Sequence, residues 1–183
     1  MGILNLPNTL TVFRIILIPV FVTAVIYERY TSALYLFLVA SLTDVMDGLI
    51  ARLKGQKTLL GTFLDPLADK FLLVTSFILF SYYGFVPGWL TIMVISRDII
   101  VTIGWILLYM TTHTQKVEPS TLGKLSIAMQ FILLCYVLID INYPLSLEIK
   151  DALIWTTASF TVLSGLHYIY RELKKTGERA SSH

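Results

Sequence analysis

The chain of 183 residues is 56% hydrophobic with a mean hydropathy of +0.74, and only 14% of its residues are charged, which is too apolar for a water-soluble domain of this length. Its net charge of +2 includes no block of lysines and arginines, which argues against a nucleic-acid partner. Cys135 is the only cysteine, so an internal disulfide and a thiolate metal cluster are both ruled out, and the thiol reads as a small apolar packing group.

Taken in chain order, apolar runs bounded by turn residues predict six helices, at about 10–27, 33–53, 63–83, 88–110, 121–140 and 150–170. Asn5, Pro7 and Asn8 predict a short interfacial lead-in before the first helix. Val22-Thr23-Ala24 weakly mimics a cleavage site, but the start has no basic n-region, so the segment is expected to stay in the mature protein. Arg14, at one end of the first helix, reads either as a phosphate contact or as a snorkelling side chain at the interface. Residues 71–96 and 152–170 carry no charged side chain, and a bilayer crossing takes about 20 mostly apolar residues. Gly84 and Pro87 give the sharpest break between helices. Ser96-Arg97-Asp98 places a charged pair inside the fourth helix, where it is either a structural ion pair or part of a polar pocket.

The expected fold is therefore all-α, a polytopic membrane protein with six transmembrane helices and a short N-terminal interfacial segment. No linker, charge block or repeat divides residues 1–183, which read as one domain. His113 and His167 are isolated and read as interfacial side chains, and His183 ends a polar tail. Trp89, Tyr109, Trp155, Tyr168 and Tyr170 fit membrane-interface belts.

Lysine and arginine placement sets the expected orientation. With an even number of spans both termini share a side, and that side receives Arg52, Lys54, Lys57, Lys116, Lys124, Arg171, Lys174, Lys175 and Arg179, against Arg29 and Lys150 opposite. Both termini are expected to be cytoplasmic, in the inner (cytoplasmic) membrane.

Four aspartates at the edges of apolar helices are costly to insert, up to roughly 2.5–3.5 kcal/mol each at a helix centre. Asp44, Asp47, Gly48 and Ala51 share one face of the second helix at about 100° per residue, with Arg52 beside them, and Asp65 and Asp69 share a face of the third. The short connection at 54–61 returns the helices as antiparallel neighbours, so the two pairs are expected to face each other near the cytoplasmic interface. Two hard divalent cations would neutralise four carboxylates, and oxygen-only ligands favour Mg²⁺ or Mn²⁺ over zinc. A proton relay or a structural pairing with basic residues is the competing reading.

The spacing D-x2-D-G-x2-A-R-x8-G-x3-D-x3-D, from Asp44 to Asp69, resembles the signature of the CDP-alcohol phosphotransferase family at every position. That resemblance implies metal binding by Asp44, Asp47, Asp65 and Asp69, with Asp69 as ligand or general base. It also implies a cytidine nucleotide site lined by Gly48, Ala51, Arg52 and Gly61, CDP-diacylglycerol as phosphatidyl donor, and a homodimer among membrane lipids. The residue types suit the chemistry: glycines admit a nucleotide closely and an arginine forks onto phosphate oxygens.

The segment from Asn5 to Arg14 and the run Leu64-Asp65-Pro66-Leu67-Ala68-Asp69-Lys70 look like the phosphatidylglycerophosphate synthase and cardiolipin synthase branches of that family. Pro119-Ser120-Thr121-Leu122-Gly123-Lys124, with Ser126 and Gln130, is similar to a loop of the same synthases. Arg14, Arg97 and Lys124 are the candidate acceptor ligands; Lys124 also reads as a positive-inside anchor. The first branch typically has Glu after the arginine equivalent to Arg97 and a further Arg beyond it, whereas this chain has Asp98 and Trp105. The expected acceptor is glycerol 3-phosphate, with phosphatidylglycerol as the alternative. A small transporter would also bury acidic residues, but predicts broken helices or inverted repeats, which the sequence lacks. A noncatalytic helper would have no reason to keep all eight signature positions.

Overall fold

Six α-helices and no strand make up the described residues, seen in a computed structural model. They are α1 (Leu6–Ile26), α2 (Tyr30–Lys54), α3 (Leu59–Tyr82), α4 (Gly88–Thr112), α5 (Thr121–Asn142) and α6 (Lys150–Ala180). The structure describes the backbone of residues 6–54, 59–112, 120–144 and 149–180, and the side chains of 13–43, 70–104, 120–144 and 149–171.

Each expected helix is present, but two ends move. Helix α1 starts at Leu6 and takes Pro7 and Asn8 into its first turn, where proline's missing N–H has no helical partner to lose. The helix therefore begins about four residues earlier than expected and takes in part of the proposed interfacial lead-in; Asn5 lies outside the described residues. Helix α6 continues past 170 to Ala180, because its polar tail is rich in Glu, Lys, Arg and Leu, all good helix formers, and has no proline.

The turn between α1 and α2 is three residues long and closes as a Schellman motif. The Arg29 N–H donates to the Ala24 carbonyl at 2.8 Å and the Glu28 N–H to the Val25 carbonyl at 3.0 Å. Glu28 takes the left-handed conformation this requires, with φ 55°. Between α3 and α4, Gly84 supplies φ 76°, and the Pro87 carbonyl opens α4 by accepting from Leu90 and Thr91.

The chain divides into two compact units, Met1–Tyr83 with Cys135–Ser146, and Gly84–Leu134 with Leu147–His183. In the first, α1 packs on both α2 and α3. Phe21 of α1 meets Phe37 of α2 at 5.9 Å and Phe80 of α3 at 6.4 Å between ring centroids, and all three are fully buried. In the second, α4 packs on α6, with Leu90, Val94, Ile154 and Ala158 in the core.

Polarity is distributed inside out. Within the second unit Arg97, Asp98, Ser126, Gln130, Thr161 and Ser164 are buried, while Ile92, Ile99, Ile103, Leu163 and Leu166 are exposed. Water would favour the reverse; hydrocarbon favours this arrangement. Hydroxyls bond back to their own helix, as Ser76 does to the Leu72 carbonyl and Thr161 to the Thr157 carbonyl, both at 2.7 Å, which satisfies them where no water is present. Among the described residues, α5 is the one helix both long and apolar enough to cross a membrane.

Candidate active site

Helix α2 is unbroken through Asp44, Asp47, Gly48, Ala51 and Arg52, and α3 through Gly61, Asp65 and Asp69. A continuous helical backbone at about 100° per residue keeps Asp44, Asp47, Gly48 and Ala51 on one face of α2, and Asp65 with Asp69 on one face of α3. Four residues, 55–58, separate the helices.

The aromatic trio in the first unit fixes how far along each helix these positions lie. From Phe37, Asp47 is ten residues further along α2, ~15 Å at 1.5 Å per residue; from Phe80, Asp69 is eleven residues back along α3, ~16 Å. Both positions therefore fall at nearly the same depth, toward the short connection. The side chains of these eight signature residues lie outside the described ones, so their expected convergence is carried by the backbone alone. An all-oxygen donor set of four carboxylates, on two helices at a common depth, fits a pair of hard divalent cations.

Arg14 belongs to the same end. The Phe21–Phe37 contact registers the α1–α2 hairpin, so a position seven residues before Phe21 is level with one seven residues after Phe37: Arg14 with Asp44. Arg14 is 1% exposed. Burial of that degree corrects the snorkelling alternative, which needs the guanidinium at the surface.

Arg97 and Lys124 lie in the second unit, on α4 and α5. Arg97 is 8% exposed and Asp98 6%; the Arg97 Nη1 donates to Asp98 Oδ1 at 2.7 Å. The opposite edge of the guanidinium donates twice to one oxygen, Ser164 Oγ on α6, from Nε at 3.2 Å and from Nη2 at 2.6 Å. Glycines lie against it on two helices, only the first of them tightly. A Cβ on Gly123 of α5 would lie 3.3 Å from Nη2, and one on Gly165 of α6 would lie 3.5 Å from the Arg97 Cγ.

The start of α5 borders this cluster. Ser120 caps it, its Oγ accepting the Gly123 N–H at 3.1 Å while its carbonyl accepts from Lys124 at 3.1 Å. Lys124 is exposed and, with Thr121, Leu122, Leu125 and Ala128, lines a shallow open groove of about 420 Å³. Below it, Gln130 Nε2 reaches Ser126 Oγ at 3.3 Å and Thr161 Oγ1 at 3.4 Å, a polar seam joining α5 to α6.

Ser96-Arg97-Asp98 thus contains an ion pair, Arg97–Asp98, within a buried polar cluster. Ser96 itself is exposed. Sequence reasoning missed Ser164, Gly165 and Thr161, although Thr157, Thr161, Ser164 and Gly165 fall at offsets 0, 4, 7 and 8, one stripe of small and hydroxyl residues along α6. The Trp105 side chain lies outside the described residues.

A family model described as CDP-alcohol phosphatidyltransferase matches residues 4–163, a span that takes in the eight signature residues, Arg14, Arg97, Asp98 and Lys124 and stops just before Ser164. The chain is 33% identical to the CDP-diacylglycerol--glycerol-3-phosphate 3-phosphatidyltransferase of Bacillus subtilis, over 90% of this chain and 93% of that protein. It is 32% identical to a probable phosphatidylglycerophosphate synthase of Mycobacterium tuberculosis, over 96% of this chain and 85% of the relative. It is also 33% identical to a cardiolipin synthase (CMP-forming) of Rattus norvegicus, over 94% of this chain but 62% of the relative.

Proposed function

We infer the reaction from the premise that this chain belongs to the CDP-alcohol phosphatidyltransferase family: it transfers a phosphatidyl group from CDP-diacylglycerol to glycerol 3-phosphate and releases CMP. The observation that carries the acceptor is coverage. A relative named for glycerol 3-phosphate matches over 93% of its own length and one named as a probable phosphatidylglycerophosphate synthase over 85%, against 62% for the cardiolipin synthase.

The carboxylates of Asp44, Asp47, Asp65 and Asp69 would hold two divalent cations, Mg²⁺ or Mn²⁺. When bound, such ions neutralise diphosphate charge and stabilise the charge developing on CMP. Gly48 and Gly61 leave space for the nucleotide, Ala51 lines it, and Arg52 pairs with phosphate. Asp69 accepts the proton of the acceptor hydroxyl as that oxygen bonds to the phosphorus attached to diacylglycerol and the bond to CMP breaks. Arg97 and Lys124 bind the acceptor phosphate; the Arg97 bonds to Asp98 and Ser164 leave one N–H on each Nη, and Lys124 is exposed and follows Gly123, the glycine against the guanidinium. Arg14, buried and level with Asp44, is assigned to phosphate binding at the donor end rather than to the acceptor.

We read residues 1–183 as one catalytic domain, because the family match runs across both units. The six helices are proposed to cross the membrane as a homodimer subunit, with both termini and the active site cytoplasmic. The inside-out burial of polar groups supports the lipid environment, and the distribution of lysine and arginine supports the orientation.

Purified protein supplied with CDP-diacylglycerol and Mg²⁺, and offered glycerol 3-phosphate or phosphatidylglycerol separately, tests the assignment. Phosphatidylglycerophosphate with stoichiometric CMP is expected from the first acceptor. CMP release with phosphatidylglycerol alone would replace this reading with the cardiolipin synthase one, in which Trp105 serves as apolar lining for a lipid acceptor.

A further inference from the structure

We propose that Ser164 is a positioning residue for acceptor binding, holding the Arg97 guanidinium so that its uncommitted N–H groups stay available to a phosphate. The proposal rests on the assignment of Arg97 to the acceptor. An arginine has five N–H donors in a rigid plane. Three are engaged here, two on one edge by Ser164 Oγ and one by Asp98 Oδ1, leaving one on Nη1 and one on Nη2.

Asp98 already neutralises the guanidinium charge, so the serine is not needed for charge balance. Its oxygen does something the carboxylate cannot. Two N–H groups of one edge converging on a single buried oxygen fix the rotation of the guanidinium plane, and Ser164 is itself 1% exposed, so that oxygen has no freedom to follow. Gly123 closes the slot: the Cβ it lacks would lie 3.3 Å from Nη2 and 3.1 Å from Ser120 Oγ, while one on Gly165 would make ordinary contact with Arg97 at 3.5 Å.

Without Ser164, the freed edge can turn toward the Asp98 carboxylate, which the Nη1 already holds at 2.7 Å. Arg97 can then turn a two-pronged edge onto Asp98, the preferred geometry for an arginine and a carboxylate. That turn commits the donors an incoming phosphate would use. Ser164 thus prevents the internal ion pair from competing with the ligand, which is preorganisation by a neighbour.

The test compares Arg97→Gln, Ser164→Ala, Ser164→Thr, Gly123→Ala and Ser120→Ala in purified full-length protein, measuring KM for glycerol 3-phosphate and for CDP-diacylglycerol separately. Ser164→Ala is expected to raise the glycerol 3-phosphate KM by about tenfold, the scale of one charge-assisted hydrogen bond, with the CDP-diacylglycerol KM unchanged. Ser164→Thr, which keeps the hydroxyl, should restore it. Gly123→Ala, whose methyl would crowd both Nη2 and the Ser120 cap, should act in the same direction without removing a donor, and, compared with Ser120→Ala to separate the cap, decides the matter if Ser164→Ala does not fold. Arg97→Gln raising that KM while Ser164→Ala and Gly123→Ala leave it unchanged would overturn the positioning role alone. A Thr variant as impaired as Ala would also overturn it. Arg97→Gln without effect would remove the acceptor assignment, and this proposal with it.

Discussion

Tyr168 rests its phenol on Gly104, so closely that a Cβ at that glycine would come 2.7 Å from the Tyr168 Oη and 2.8 Å from its Cε1. This contact sets how near α4 and α6 approach in the second unit. Gly104→Ala should destabilise by about 1–3 kcal/mol through overpacking, read as a lowered Tm in detergent. In a Tyr168→Ala background the same change should cost far less. Additive losses in the double variant would mean that the two residues do not limit each other.

Glu28 occupies a left-handed position usually held by glycine, with φ 55° in the α1–α2 turn. A residue with a Cβ costs about 1–2 kcal/mol there. Glu28→Gly should therefore raise stability, less the entropy glycine adds to the unfolded chain, and Glu28→Val should lower it. A higher Tm for Val than for Gly would contradict the assigned turn.

Asp65→Asn keeps the side-chain shape but loses the charge that would hold a divalent ion. Turnover should disappear while the protein still elutes as a folded species. Near-normal activity at low Mg²⁺ would remove Asp65 from the metal set. Asp69→Asn should also be nearly inactive, and retained CDP-diacylglycerol binding would mark it as the base, whereas complete loss of nucleotide binding would mark it as a ligand.

Arg14, level with Asp44 and buried, places a fixed cation at the depth of the proposed metal set. Arg14→Gln should raise the CDP-diacylglycerol KM several-fold if it pairs with donor phosphate, leaving the glycerol 3-phosphate KM unchanged. A fall in the Mg²⁺ concentration giving half-maximal activity, with both KM values unchanged, would instead identify Arg14 as a counter-charge to the carboxylates.

The helices were legible because charge-free apolar stretches end at turn residues such as Gly84 and Pro87. Hydropathy misjudged the two ends at which helix and polarity coincide, Pro7–Asn8 in the first turn of α1 and the tail of α6 beyond 170. The aspartates stood out because carboxylates are rare in apolar helices and their spacing matches the helical period. Ser164 and Gly123 did not, since hydroxyls and glycines are common wherever membrane helices touch; only their contact with Arg97 across three helices distinguishes them. Likewise, no local pattern reveals that Arg14 is buried, because burial depends on how α1 packs on other helices.

The three-residue turn after α1 also bears on the order in which the protein is made. In the proposed six-span arrangement, so little slack would bring α1 and α2 into the bilayer as a hairpin, with α1 carrying an arginine that hydrocarbon disfavours. Since α1 packs on both α2 and α3, its packing is complete only once α3 has emerged from the ribosome. Early in synthesis the first hairpin is a provisional structure, completed by a helix not yet translated. Nascent chains ending after Lys54 should accordingly cross-link from position 14 to lipid or to the insertion machinery, and those extended past Tyr82 should not.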